Sequence, residues 1–241
     1  MVLNARRIAA MFAVGLAALM SAGSAAAATT TSTVPSVTPF SCRASSARVT
    51  LLNSLTVEPL VANAPDTPCK SDQHGVSSVN VPTTASPGVN AGPAAVLTDS
   101  VFAPVEGAAR AAVADSDVQG VVIPIPGNTI SIVGPVTSSA YYACSNGNLT
   151  SGSASTLDVL SVGGQAIALP SPGASMTIQL GGGSFIAINE KTTTSSSITE
   201  RVLHVHLAGI ADIVVGEASV DYSGSDPCAG SNGPPPNLNA C

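Results

Sequence analysis

His204 and His206 are separated by one residue within 198–207, a run that reads as a β-strand. Leu203, Val205 and Leu207 take one face of that strand, so the two imidazoles share the other, about 7 Å apart along it. Paired imidazoles on a strand suit zinc or copper. A metal site needs a third ligand, and Glu190, Glu200 and Asp212 are the candidates. The plainer alternative is a polar sheet face that happens to carry two histidines.

Other chemistry finds less support in the residues. A serine hydrolase needs a Ser beside a general base ordered by an acid. The chain has no G-x-S-x-G elbow, and Ser184, after Gly181-Gly182-Gly183, reads better as part of a tight hairpin. Glycoside cleavage needs two facing carboxylates about 5 to 10 Å apart. Asp115 and Asp117 share a strand face and Glu190 stands elsewhere, but nothing in the sequence pairs them, and Trp is absent. Asp115-Ser116-Asp117 lacks the Gly and Glu positions of a calcium loop and reads as a solvated acidic turn. No phosphate-binding glycine motif occurs, so no cofactor is expected. Asn148-Leu149-Thr150 is a glycosylation sequon beside a turn, expected to be unused in a bacterial source.

The elements that must position these residues are strands. Runs at 48–61, 121–125, 129–133, 136–144, 155–162, 166–169, 176–180, 185–190, 198–207 and 213–222 are extended, and Gly, Pro and Asn separate them. Asn146-Gly147 suits a type I′ turn. Residues 95–118 are ambiguous and read as strand. Residues 63–93 read as a long loop with one extended piece at 76–81, and 191–197 as a long polar hairpin tip. No amphipathic helix appears. The expectation is an all-β fold: an antiparallel sandwich-like or open-barrel domain of about eight to ten short strands.

The cysteines are Cys42, Cys69, Cys144, Cys228 and Cys241. None has zinc-ligand spacing, so disulfides are the expectation. Cys42–Cys69 is favoured because both flank one contiguous segment, and closing it contributes roughly 3 kcal/mol in the chain-entropy account. Cys144 pairs with Cys228, or Cys228 pairs with Cys241 through the Pro-rich tail and leaves Cys144 over. Cys241 is also a candidate intermolecular thiol.

Arg6 and Arg7, the uncharged run 8–20 and the small residues 24–28 form a secretory signal peptide. The organisation expected is signal peptide 1–28, a disordered Thr/Ser/Pro leader 29–40, one β-rich extracellular domain 41–227 and a Gly/Pro-rich tail 228–241. Removing Arg6 and Arg7 takes the formal charge from -6 to -8, because the signal holds no acid. Such a chain has no footprint for nucleic acid, and no second apolar stretch is long enough to cross a membrane. Charged residues make up only 9%, so Ser, Thr, Asn and Gly must build the surface. Lys occurs only at Lys70 and Lys191, a usage that fits a high-GC bacterial genome.

Three stretches carry a resemblance: 41–49 with 58–63 and Pro68-Cys69, 155–160 with Gly181-Gly182-Gly183, and 199–206 with 211–217. Together they resemble the choice-of-anchor P proteins, secreted or surface-displayed proteins of actinobacteria. The resemblance implies a β-rich extracellular domain and no catalytic residues. The C-terminus departs from anchored relatives in showing no anchoring device, which leaves release to the medium as open as surface retention. The expected function is a secreted, non-catalytic structural, adhesive or envelope-associated protein whose partner is a cell-wall or other extracellular polymer. The alternatives are an extracellular hydrolase acting on such a polymer, and a metal-binding protein using His204 and His206.

Overall fold

The computed structural model describes residues 40–51, 55–63, 68–81, 88–100, 110–224 and 227–228. The expected signal peptide, residues 29–39 of the expected leader and Cys241 lie outside them. Every element among the described residues is a β-strand. The chain begins in a first sheet with β1 (Phe40–Leu51), β2 (Thr56–Val57) and β3 (Val61–Ala62). It crosses to a second sheet for β4 (Asp72–Val76), β5 (Val79–Val81), β6 (Val89–Ala91), β7 (Ala94–Asp99), β8 (Arg110–Ile125), β9 (Asn128–Ser145), β10 (Asn148–Val162) and β11 (Gln165–Ile167). It then returns to the first for β12 (Met176–Gly181), β13 (Ser184–Thr193), β14 (Ser197–Leu207) and β15 (Ala211–Tyr222).

All pairings are antiparallel. The first sheet runs β12-β13-β14-β15-β1-β2, with β3 also on β1. The second runs β11-β10-β9-β8-β6-β5, with β7 also on β8 and β4 on β7. Neither sheet closes on itself, so the sandwich-like alternative holds. The first sheet is completed by its most distant parts: β1 pairs with β15 from Phe40↔Tyr222 to Leu51↔Ala211.

Alternation explains which faces meet. On β9, Ile130, Ile132, Val136, Ala140 and Tyr142 are buried, while Thr and Ser residues alternate with them. These pack across the gap on Val49, Ile186, Ile188, Leu203, Val205 and Ile213 of the first sheet, in one continuous core. One end of that core is aromatic: Phe40 stacks on Tyr142 at 6.2 Å, and Tyr222 meets Tyr142 edge-on at 5.2 Å. Both disulfides lie beside this cluster, two residues along β1 and β9. Cys42 is bonded to Cys69 and Cys144 to Cys228, the favoured pairings. The second joins the segment after β15 to β9, and so ties one sheet to the other.

A shared interruption crosses the first sheet. Asn189 on β13 and Gly216 on β15 have φ of 52° and 68°. They stand level with Val202 on β14 and Ser46 on β1, where the Cα pairings skip one residue on each strand without changing register. Each of the four strands therefore changes which of its alternate residues face outward. Gly216 also has no room for a side chain, because a Cβ there would lie 2.9 Å from Val202 Cγ2 and 3.3 Å from Val136 Cγ1.

Several expectations are corrected. Among the described residues fifteen strands form, not eight to ten. Residues 63–93, expected as a loop with one extended piece at 76–81, supply β5 within that piece and also β4 and β6, whose backbone groups need partners over a packed core. Runs 129–133 and 136–144 are one strand, because Gly134 (φ 97°) absorbs a bulge opposite Asp158 instead of turning the chain. The hairpin tip shrinks to 194–196, since Lys191, Thr192 and Thr193 pair with Glu200, Thr199 and Ile198. Asp115 and Asp117 stand mid-strand on β8, not in a turn. Phe40 begins β1 and Cys228 is buried, so the packed structure takes in the last residue of the expected leader and the first of the expected tail.

Gly216→Ala should cost about 2–3 kcal/mol, from positive-φ strain and the clash with Val202 and Val136. Thermal denaturation should show Tm falling by about 5–10 °C. An unchanged Tm would mean that neither the backbone conformation nor Val202 and Val136 constrain this position.

Candidate functional site on the outer face of the first sheet

The change of face gathers charge. Strict alternation would put Arg43 and Arg48, five residues apart on β1, on opposite faces. With the interruption between them, both point outward and reach Glu217 of β15. Arg43 Nη1 donates to Glu217 Oε1 at 2.9 Å, and Arg48 Nη2 to Oε2 at 2.7 Å. Arg201 of β14, directly across from Glu217, donates its Nε to Oε2 at 2.6 Å. Arg43 also pairs with Glu58. Three of the chain's eight Lys and Arg thus converge on one carboxylate whose side chain is 5% exposed.

Burial alone would push the Glu217 carboxyl up. The charge of Arg48, the hydrogen bond and charge of Arg201, and the charge of Arg43 outweigh that and hold it below the usual carboxylate range. The packing keeps water out while the guanidinium forks satisfy both oxygens, which is the condition under which a buried ion pair is tolerated.

The network continues to the histidines. Arg201 Nη1 donates to Glu190 Oε2 at 3.1 Å, and the same oxygen lies 3.0 Å from His204 Nδ1. His204 Nε2 lies 3.2 Å from Asp212 Oδ1, which is 2.8 Å from His206 Nδ1. Ionised carboxylates only accept, so both His204 contacts are hydrogen bonds when the ring carries two protons. Burial raises the Asp212 carboxyl, but the hydrogen bonds and charges of His206 and His204 leave it lowered overall. Phe185 on β13 stacks on His206 at 5.1 Å and meets His204 edge-on at 5.5 Å.

Of the sequence candidates, His204 and His206 do share the outer face, with Leu203, Val205 and Leu207 buried behind them. Glu190 and Asp212 lie beside them. Glu200 faces the opposite way, between the sheets, where Ser153 Oγ and Ser155 Oγ donate to it at 2.8 and 2.6 Å. Among the described residues no three of His, Cys, Asp and Glu converge as a metal-binding group. Ser184 Oγ accepts the backbone N–H of Ala208 at 3.0 Å, a turn contact. Arg43, Arg48, Arg201 and Glu217 did not emerge from the sequence. Gly216 inside an otherwise continuous strand was the available signal, since an interior strand glycine marks a bulge or a close approach.

Above the cluster lies an open trench of about 600 Å³. Arg43, Arg48 and Thr50 of β1, Thr56 of β2, Arg201 and His204 of β14, and Asp212 of β15 line it. Thr50 Oγ1 and Thr56 Oγ1 are 3.2 Å apart. On the outer face of the second sheet, Asp117 accepts from Gln119 Nε2 at 2.7 Å. Its neighbour Asp115 is partly buried, and desolvation pushes its carboxyl up to about 6.

Removing the Glu217 charge takes the carboxylate from Arg48 and leaves Arg43 and Arg201 with Glu58 and Glu190 alone. Glu217→Gln should cost about 3 kcal/mol or more, against about 1 kcal/mol or less for Glu58→Gln at the rim, by urea denaturation. Equal costs would mean the cluster is not centred on Glu217. The pH dependence has two signs. Glu217 and Asp212 sit below their unfolded values, so the stability they bring is present above about pH 4.5 and is lost as the pH falls through their folded values. Asp115 sits above its unfolded value, so its cost is relieved as the pH falls from about 6 towards 4. Asp115→Asn should therefore raise Tm at pH 7.5 and flatten the rise between pH 7.5 and 5; no gain at pH 7.5 would contradict the burial penalty.

No protein family, curated protein or solved structure matches the chain.

Proposed function

We propose that the chain is a secreted, non-catalytic module that associates with the cell envelope by holding an extracellular polymer on the outer face of its first sheet. The trench carries this reading. It is open to solvent, as a polymer requires, and it lies across paired strands that the Glu217 cluster links. Two disulfides beside the aromatic end of the core are compatible with an extracellular setting.

The charge chemistry supports binding over turnover. Acid–base enzymes push the pKa values of neighbouring groups apart, so that one donates and the other accepts. Here Glu217 and Asp212 are both displaced downward. The raised carboxyl, Asp115, stands on the other sheet. Membership of the choice-of-anchor P proteins belongs to the same proposal and rests on the strings quoted above.

Fractionation of the producing culture tests it. The mature chain is expected in the cell-wall fraction, resistant to a high-salt wash, and is expected to bind purified wall material without releasing soluble fragments. Recovery only from the medium, with no retention on purified wall, would overturn envelope association. Release of soluble sugar or peptide would favour the hydrolase.

A further inference from the structure

We infer that the trench takes a neutral polysaccharide, recognised through pairs of adjacent hydroxyls. This rests on the polymer-binding reading above and names its ligand. The first argument is charge. Arg43, Arg48 and Arg201 are paired with Glu58, Glu217 and Glu190, while Asp212 faces His204 and His206. No positive excess is left to draw a polyanion, and the chain as a whole is acidic, at -6 with residues 1–28 and -8 without them. A polymer dense in carboxylate or phosphate would be repelled on approach.

The second argument is hydrogen bonding. Each guanidinium carries five N–H donors. Arg43 commits Nη1 and Nη2, Arg48 commits Nη2, and Arg201 commits Nε and Nη1. The remaining donors sit on planes that Glu217 has already oriented, so little ordering is needed to use them. Beside them stand acceptors and amphoteric groups. The Asp212 side chain is 49% exposed, and Oδ1 alone meets the histidines. The Thr50 and Thr56 hydroxyls can each give or take a proton. Alternating donors and acceptors match sugar hydroxyls, which both donate and accept. A fully ionised phosphate, which only accepts, would set its oxygens against the free side of the Asp212 carboxylate.

The third argument is the apolar flank. The stacked Phe185 and His206 rings, with His204 edge-on, stand where the cluster reaches β13. Such a surface packs against the C–H face of a sugar ring, and the absence of Trp predicts modest affinity. The trench spans β2, β1, β15 and β14 at about 4.8 Å per strand, so a chain crossing the strands meets each group in turn.

The test uses the mature chain with its disulfides intact. Its probes are purified wall, a neutral arabinogalactan, a neutral β-glucan and polygalacturonate, read by affinity electrophoresis and depletion. At least one neutral polymer should bind, and 0.5 M NaCl should leave that binding unchanged. Arg48→Gln and Asp212→Asn should each weaken it about tenfold or more. Phe185→Ala, which leaves the Glu217 cluster intact, covers the case in which Arg48→Gln does not fold. Val133→Ser, on the second sheet, should bind as the parent does. Retention on wall with neither neutral polymer bound would overturn this inference and leave the module standing. Salt-sensitive binding of polygalacturonate, or neutral binding unmoved by the trench variants, would overturn it as well. No retention on wall or on any polymer would remove both.

Discussion

Four neighbouring strands of the first sheet change face at the same level, and the outward surface follows from that constraint. A bulge on one strand alone would slip its register against its neighbours and turn apolar residues outward. With interruptions aligned at Asn189, Val202, Gly216 and Ser46, the pairings on either side keep the same offset. The core alternation survives on both sides while the outer residues are drawn together. Asn189 tolerates the left-handed backbone better than most side chains, and Gly216 is required both by its φ and by the closeness of Val136.

Electrostatics then settles what those outer positions can be. A carboxylate that is nearly out of water is costly unless strong donors surround it. Glu217 has three, from the two strands that flank its own. Glu200, one position before Arg201, faces the interior and is held by two serine hydroxyls instead. Two carboxylates on neighbouring strands thus solve the same problem on opposite sides of the sheet. The outer solution leaves donors over for other uses, and the inner one is enclosed.

Much of this was legible in the residues. The all-β class, the Asn146-Gly147 turn (both φ positive), the Cys42–Cys69 disulfide and the shared face of His204 and His206 all follow from period two, turn chemistry and cysteine position, whereas Cys144–Cys228 was one of two alternatives. The Glu217 cluster was not legible. Alternation counted from Arg43 sends Arg48 inward, and counted from His204 it sends Arg201 inward. Only a break in period brings them together, and no local propensity encodes the alignment of four such breaks. Glu200 was misjudged as a ligand candidate for the same reason. Gly134-Pro135 looked like a turn because its residues are those of a turn, but the flanking strands pair with β8 and β10 on both sides and carry the chain straight through.

The pairing of β1 with β15 has a mechanical consequence. Phe40 and Tyr222 are partners, so the chain enters and leaves the first sheet at the same end. A pull on the two flanking segments would unzip that pair one hydrogen bond at a time, the weakest way to load an antiparallel ladder. Both disulfides stand across the path. Tension arriving from the N-terminal side meets Cys42, two residues in, and is diverted through Cys69. Tension from the C-terminal side meets Cys228 before it reaches β15 and passes through Cys144 into the second sheet. Stretching the protein by its ends therefore loads covalent bonds before it can peel apart the first sheet.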